Sequence, residues 1–567
     1  MKARLRSIMP VAALLVFISH GLHAETIECL ALPAAAPEGV ALNAVMMSAD
    51  EQVKSRYCLV TGVMAHRMSE DHQPYAIHFE LRLPNVWQGR FAYQFNDGNE
   101  NQNGRFTPAL GRVTGQESPQ YAINQGFAVV SGNGGFRSTG LTSISQSKAI
   151  NPDSGLINKV IFGHDPEARR DFGYGVVETL TPVARQLIEH YYQAPIQYAY
   201  GLGQSNGGRM AMVAASRFPS MFNGLIAGSP GFNAPKAALQ HPWDVQALHR
   251  VNDTINQALS PRDLTLFAHH LLKQCDGLDG LNDDMIFAAE ACQTAFNPKA
   301  LVCKSNFDRD CLPLNKVAAL IRMHRGPHNA KNQALYASWP YDTGIRSANW
   351  RFWKIESGFP AWDDKPAAVA IGAAALAHLY TTPFLDVSGD VYALEKYLQT
   401  FDFDKDAPKI YATNTVFNES AMTLMTPPDV MKPQLTEFKQ QGGKMLLFHG
   451  NSDPVFSVHD TLRWYNDLNF MHEGRAAECV RLYRIPGMPH GQGGASADQF
   501  DVLQPLISWV EHNQPSEAII AKTRFNNPEI TARMSGMSRP LCPHPAYAKY
   551  IQGDFLKAGA FQCVVSR

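Results

Sequence analysis

The chain has 567 residues, too many for one compact core, so two domains or one large domain with a sizeable insertion is expected. Its 50 basic and 51 acidic side chains nearly cancel, which argues against nucleic acid or an anionic membrane surface as partner. The 45% apolar content is that of an ordinary globular protein, and no internal repeat or low-complexity tract interrupts it.

Lys2, Arg4 and Arg6 precede an apolar run from Pro10 to Ile18, and Gly21-Leu22-His23-Ala24 offers small residues for cleavage. Residues 1–24 therefore read as a secretory signal; the run is too short to span a bilayer, and no later stretch reads as a membrane span. Export, to the periplasm or beyond, makes the nine cysteines informative. Near neighbours suggest four pairs: Cys29 with Cys58, Cys275 with Cys292, Cys303 with Cys311, and Cys542 with Cys563. Proximity does not fix the connectivity. Cys479 is left over and reads as a small buried hydrophobe.

A first core segment covers 25–234. Thr61 to Pro84 alternates apolar and polar residues, as in paired antiparallel strands. Arg90 to Phe95 is a further strand, followed by the polar loop Asn96-Asp97-Gly98-Asn99-Glu100-Asn101. Loops at strand ends line the active face of an open α/β sheet. Gly126 to Ser131 is a buried strand, and Asp171 to Tyr192 an amphipathic helix that Pro182 should kink or restart. Ile196 to Tyr200 is again a strand. It runs into Gly203-Gln204-Ser205-Asn206-Gly207 and then an apolar helix. Strand, Gly-x-Ser-x-Gly, helix is the nucleophile elbow of an α/β-hydrolase, with Ser205 as nucleophile. The amide of Asn206 would be one oxyanion donor. Gly98 is a candidate for the second, with a plain hairpin turn as the equal alternative.

From 235 to 405 the rhythm changes to helical segments, aromatic clusters and cysteines, which reads as an inserted lid domain. Asp276-Gly277-Leu278-Asp279-Gly280-Leu281-Asn282-Asp283-Asp284 lies within it. Four carboxylates in nine residues suit either a Ca²⁺ loop or a solvated acidic turn. The core resumes over 406–567. Lys444 to Phe448 is a strand leading to His449-Gly450-Asn451-Ser452-Asp453. Arg481 to Ile485 is another, leading to Pro486-Gly487-Met488-Pro489-His490. The order Ser205, Asp453, His490 is that of α/β-hydrolases. His449 is set aside as too near its strand and Asp453, and Asp460 is expected in the next helix. The fold class is thus α/β, a hydrolase core with a large inserted lid. A non-catalytic binding protein and a peptidase on the same frame are the competing classes.

These residues resemble the tannase and feruloyl esterase family over nearly the whole mature chain. The likeness is densest in Asp171-Phe172-Gly173-Tyr174, Gly203 to Arg209, Phe222 to Pro230, His449 to Asp453, Pro486-Gly487-Met488 with His490, and Arg539-Pro540-Leu541-Cys542-Pro543. The nearest subgroup includes a terephthalate monoester hydrolase. The resemblance implies a secreted serine carboxylesterase of small aromatic esters. It implies a lid Ca²⁺ held by Asp276, Asp279 and Asp283 with the carbonyls of Leu281 and Met285. It also supports Gly98 as oxyanion donor and the four cysteine pairs. Trp353 would stack on an aromatic acyl group. Family members usually join the two catalytic loops by a disulfide, at positions held here by Gln204 and Gly491. The lid arginine that grips a terephthalate carboxylate has no counterpart between Pro366 and Leu379. Asp97 would set a carboxylate near the acyl site and disfavour anionic substrates.

Overall fold

The computed structural model describes residues 28–69, 72–96, 107–134, 156, 160–305 and 308–565. The signal-like residues 1–24, and the loop residues Asp97 and Gly98, lie outside them.

Nine strands form the main sheet: β1 (Ala41–Met47), β2 (Tyr57–Met68), β3 (Pro74–Pro84), β4 (Arg90–Gln94), β5 (Phe127–Gly132), β6 (Tyr198–Gln204), β7 (Gly224–Gly228), β8 (Lys444–Gly450) and β9 (Val480–Ile485). Their spatial order is β1-β2-β3-β5-β4-β6-β7-β8-β9. The pairings β1–β2, β2–β3 and β3–β5 are antiparallel; every pairing from β5 across to β9 is parallel. The division follows composition. β2 alternates buried and accessible residues, whereas Phe91-Ala92-Tyr93, Leu225-Ile226-Ala227 and Leu446-Leu447-Phe448 are buried throughout. Continuous apolar runs of this kind suit parallel strands covered on both faces.

One face is covered by the helices Val176–Tyr192, Asn206–Arg217 and Val458–Met471. The other is covered by Leu503–His512 and the carboxy-terminal strands. Pro182 does not interrupt its helix: Val176–Tyr192 runs through it. The proline is exposed, so water can meet the carbonyl it leaves unbonded, and the buried face formed by Leu180, Ala184, Leu187 and Ile188 holds the helix together. The helical course also starts earlier than the sequence suggests. Pro166–Arg170 leads into a π-helical turn, Asp171–Gly175, before the long helix.

Among the described residues, every named element between β7 and β8 is helical. This stretch builds most of a further apolar core, on Leu248, Phe267, Leu271, Leu320, Leu376 and Leu394, to which Phe162 and Phe172 also contribute. All four cysteine pairs are disulfides, and Cys479 is a free, buried thiol whose pKa burial pushes up to about 11.

Candidate active site

Three parallel strands deliver the site at their carboxy-terminal ends. β6 ends at Gln204, and Ser205 follows with φ 57° and ψ −120°, a conformation that non-glycine residues adopt only under constraint. The flanking glycines make that turn possible. A Cβ at Gly203 would overlap the backbone of Gly207, and one at Gly207 would press on the carbonyl of Phe95. The turn is pinned by Ser205 N–H donating to the Gly228 carbonyl at 2.8 Å. Ser205 thereby caps the helix Asn206–Arg217, whose first free N–H, that of Asn206, opens the helix beside the serine.

Ser205 Oγ lies 2.9 Å from His490 Nε2, and His490 Nδ1 lies 2.8 Å from Asp453 Oδ2. Asp453, three residues beyond β8, is 1% exposed. Its other oxygen accepts the N–H groups of Val455 at 2.8 Å and Phe456 at 3.0 Å. Burial opposes its ionisation, but the charge of His490 and hydrogen bonds from His449 and His490 prevail and hold it well below the usual carboxylate range. His449 reads from the sequence as too close to its strand and to Asp453 for a catalytic role. It in fact reaches Asp453 Oδ2 at 3.3 Å while bonding the Phe456 carbonyl and Thr461 Oγ1, so it braces the acid. Asp460 lies in the helix Val458–Met471, as expected, and pairs with Asn233 and Arg463.

The helical insertion also grips the catalytic loops, which the sequence did not reveal. Trp339 Nε1 donates to the Asp453 carbonyl at 2.9 Å. Asn349 accepts from His490 N–H at 3.3 Å and donates to its carbonyl at 3.4 Å. Asp342, 4% exposed, accepts from Ser452 Oγ and from Gly487 N–H at 2.9 Å, linking the loop of the acid to the loop of the histidine. At the place of the absent disulfide, a side chain on Gly491 would overlap the Gln204 amide.

A pocket of about 320 Å³ opens at Ser205 and His490. Its walls are mostly apolar, with Ala234, Ala237, Ile371, Ala375 and Leu379 among them, and Trp353 stands at its edge. The Trp353 ring meets the His490 ring edge-on, with centroids 6.0 Å apart. Arg209 borders the pocket, but its guanidinium is engaged by Asn206 Oδ1 and the carbonyls of Phe172 and Gly173.

In the acidic loop, Asp276, Asp279 and Asp283 are 7%, 2% and 1% exposed. Asp276 accepts from the N–H groups of Asp283 and Asp284, Asp279 from those of Leu281 and Phe287, and Asp283 from Met285 N–H and Arg539. Burial pushes Asp276 up to about 6 and Asp279 up to about 7. Among the described residues no three His, Cys, Asp or Glu side chains stand grouped for a metal. The donor set still fits a hard cation, because Asp276 and Asp279 are buried carboxylates whose hydrogen bonds come only from neutral backbone N–H groups.

A strained serine at an elbow, with a buried aspartate and a histidine in loops that follow β8 and β9 of the same parallel sheet, defines an α/β-hydrolase with a serine triad arrangement. Residues 58–564 match the family model for tannase and feruloyl esterase, and the chain belongs to that family of carboxylic ester hydrolases. It is 32% identical to a mono(2-hydroxyethyl) terephthalate hydrolase of Piscinibacter sakaiensis over 92% of this chain and 87% of that protein. A probable feruloyl esterase of Arthroderma benhamiae is 24% identical over 89% and 85%. The fold is shared with feruloyl esterase B of Aspergillus oryzae, with a TM-score of 0.72 and 19% identity over 94% of this chain and 99% of that one.

Proposed function

We propose that the protein is an exported serine carboxylesterase of small, neutral aromatic esters of the feruloyl, galloyl or simple aryl type. The observation that carries the reading is the alignment of Ser205, His490 and Asp453 at the mouth of an apolar pocket edged by Trp353. His490 takes the Ser205 proton as Oγ attacks the acyl carbon. Asp453 holds the imidazole tautomer and stabilises the imidazolium. The Asn206 N–H, at a helix amino terminus, and the Gly98 N–H take the oxyanion. His490 then returns the proton to the leaving alcohol, and water resolves the acyl-enzyme by the same route. Asp97 would keep anionic esters away from the acyl site.

Hydrolysis of methyl ferulate, methyl gallate, mono(2-hydroxyethyl) terephthalate and short p-nitrophenyl esters, by the protein and by Ser205→Ala, tests this. Turnover of a neutral aromatic ester that vanishes in the variant is expected, with the terephthalate monoester slow or untouched. Turnover that survives Ser205→Ala removes the serine from the mechanism. Similarity to the terephthalate monoester hydrolase favours that ester as a second reading.

Export is supported by the signal-like residues 1–24 and by four disulfides, which persist in oxidising compartments. We further propose that Asp276, Asp279 and Asp283, with the carbonyls of Leu281 and Met285, hold a structural Ca²⁺. The cation would supply the charge that the buried Asp276 and Asp279 lack.

A further inference from the structure

His241, on the helix Gln240–Leu248, forms part of the wall of the pocket that contains Ser205 and His490. Its side chain is 7% exposed, and Nδ1 is buried without a hydrogen-bond partner. No hydrogen bond or ion pair among the described residues reaches the ring. A neutral imidazole carries one N–H donor and one bare acceptor nitrogen. A buried polar group left unmet is unfavourable, and such a group in a binding pocket calls for an explanation.

Two neighbouring features bear on it. Gly372 belongs to the π-helical turn Ala368–Ala373 and lines the same pocket; a Cβ there would overlap Cδ2 and Nε2 of the imidazole. The glycine thus makes room for the ring at this wall, on a type of helical irregularity that recurs at functional sites. Behind the ring, Lys354 is paired with Asp244, which also accepts from Gln240. Burial and the nearby Lys354 charge push His241 down to about 3, so it is neutral at any ordinary working pH.

Resting on the aromatic acyl reading above, we propose that His241 is a specificity-determining residue that hydrogen-bonds a hydroxyl on the ring of the acyl group. A hydroxyl both donates and accepts, so it can meet the ring nitrogen that faces the pocket whether that nitrogen carries the proton or is bare. A carboxylate would meet only the N–H and would lie against alanines, with Lys354 already paired. An unsubstituted ring would leave the imidazole unmet.

The test is the ratio of kcat/KM for methyl 4-hydroxycinnamate to that for methyl cinnamate, measured within each of wild type, His241→Phe and His241→Gln. The wild type is expected to favour the hydroxylated ester about tenfold or more. His241→Phe should bring the ratio near one, and His241→Gln, which keeps a donor and an acceptor, should retain part of it. Thermal melting identifies a folding defect in His241→Phe, in which case His241→Gln and Gly372→Ala, whose methyl would press on the ring, carry the comparison. A wild-type ratio near one, or a ratio unchanged in folded variants, overturns the assignment. If p-nitrophenyl acetate is cleaved but neither cinnamate is, the aromatic acyl reading itself fails and the role of His241 falls with it.

Discussion

Replacing Asp342 by alanine should damage catalysis although the residue lies in the helical insertion and touches no member of the triad. Its Oδ1 accepts from Gly344 N–H at 3.2 Å, Gly487 N–H at 2.9 Å and Ser452 Oγ. Ser452 immediately precedes Asp453, and Gly487 lies three residues before His490. The alanine leaves at least two buried donors unmet, at about 1–3 kcal/mol each, or about 2–6 kcal/mol together. Part of that is returned, because burial raises the Asp342 pKa and removing the carboxylate relieves its desolvation. A net loss of about 2–4 kcal/mol follows, shared between global stability and the mutual placement of the two loops. The assay is kcat and KM on a p-nitrophenyl ester beside the urea midpoint. Displacements below an ångström between nucleophile, base and acid cost rate rather than binding. A kcat loss of about 10–100-fold with KM within about twofold is therefore expected. Asp342→Asn keeps a carbonyl oxygen at the junction and should recover most of both quantities. An alanine variant with unchanged midpoint and kcat would refute the argument.

Gly491→Ala should lower kcat, because the new methyl overlaps the Gln204 amide beside the nucleophile and the glycine has φ 80°; the double variant Gly491→Ala with Gln204→Ala should recover part of that loss, and no recovery would mean that the backbone conformation alone matters. Removal of divalent cations with a Ca²⁺-selective chelator should lower the melting temperature by several degrees, and Asp279→Asn should abolish the difference between chelated and Ca²⁺-loaded samples. A melting temperature indifferent to the chelator, in protein shown to have carried no Ca²⁺, would discard the cation.

What was legible in the sequence follows from locality. Ser205, Asp453 and His490 each stand a few residues beyond an apolar strand, so a strand-then-loop reading places them on one edge of a parallel sheet without any long-range information. The disulfides were legible for the same reason, since every pair is separated by 29 residues or fewer. Trp339, Asp342 and Asn349 were not. Each acts on a partner more than 100 residues away, and nothing in their local pattern distinguishes them from the core residues of a helical insertion. His449 was in view, but spacing set it aside, because four residues from Asp453 looked too close for a catalytic base. That same spacing is what lets it brace the carboxylate. Pro182 shows the converse error, a strong local signal overridden by the buried face of its helix.

The electrostatics of the pocket argue for a neutral substrate independently of the missing lid arginine. The nearby cations are committed elsewhere: Arg351 to Glu356 and the Leu259 carbonyl, Lys354 to Asp244, Lys365 to Glu395, and Arg209 to Asn206 and two backbone carbonyls. An acyl group carrying a free carboxylate would have to surrender its hydration against Ala237, Ile371 and Ala375. Recruiting Lys354 would strand Asp244, which is 1% exposed, and separating a buried pair costs about 3–5 kcal/mol. That penalty corresponds to a factor of about 10²–10⁴ in kcat/KM against the anionic ester, relative to a neutral ester of the same shape. The proposed preference for neutral esters therefore does not depend on one absent guanidinium. Restoring an arginine between Pro366 and Leu379 would supply the missing cation only if the new side chain found no carboxylate of its own.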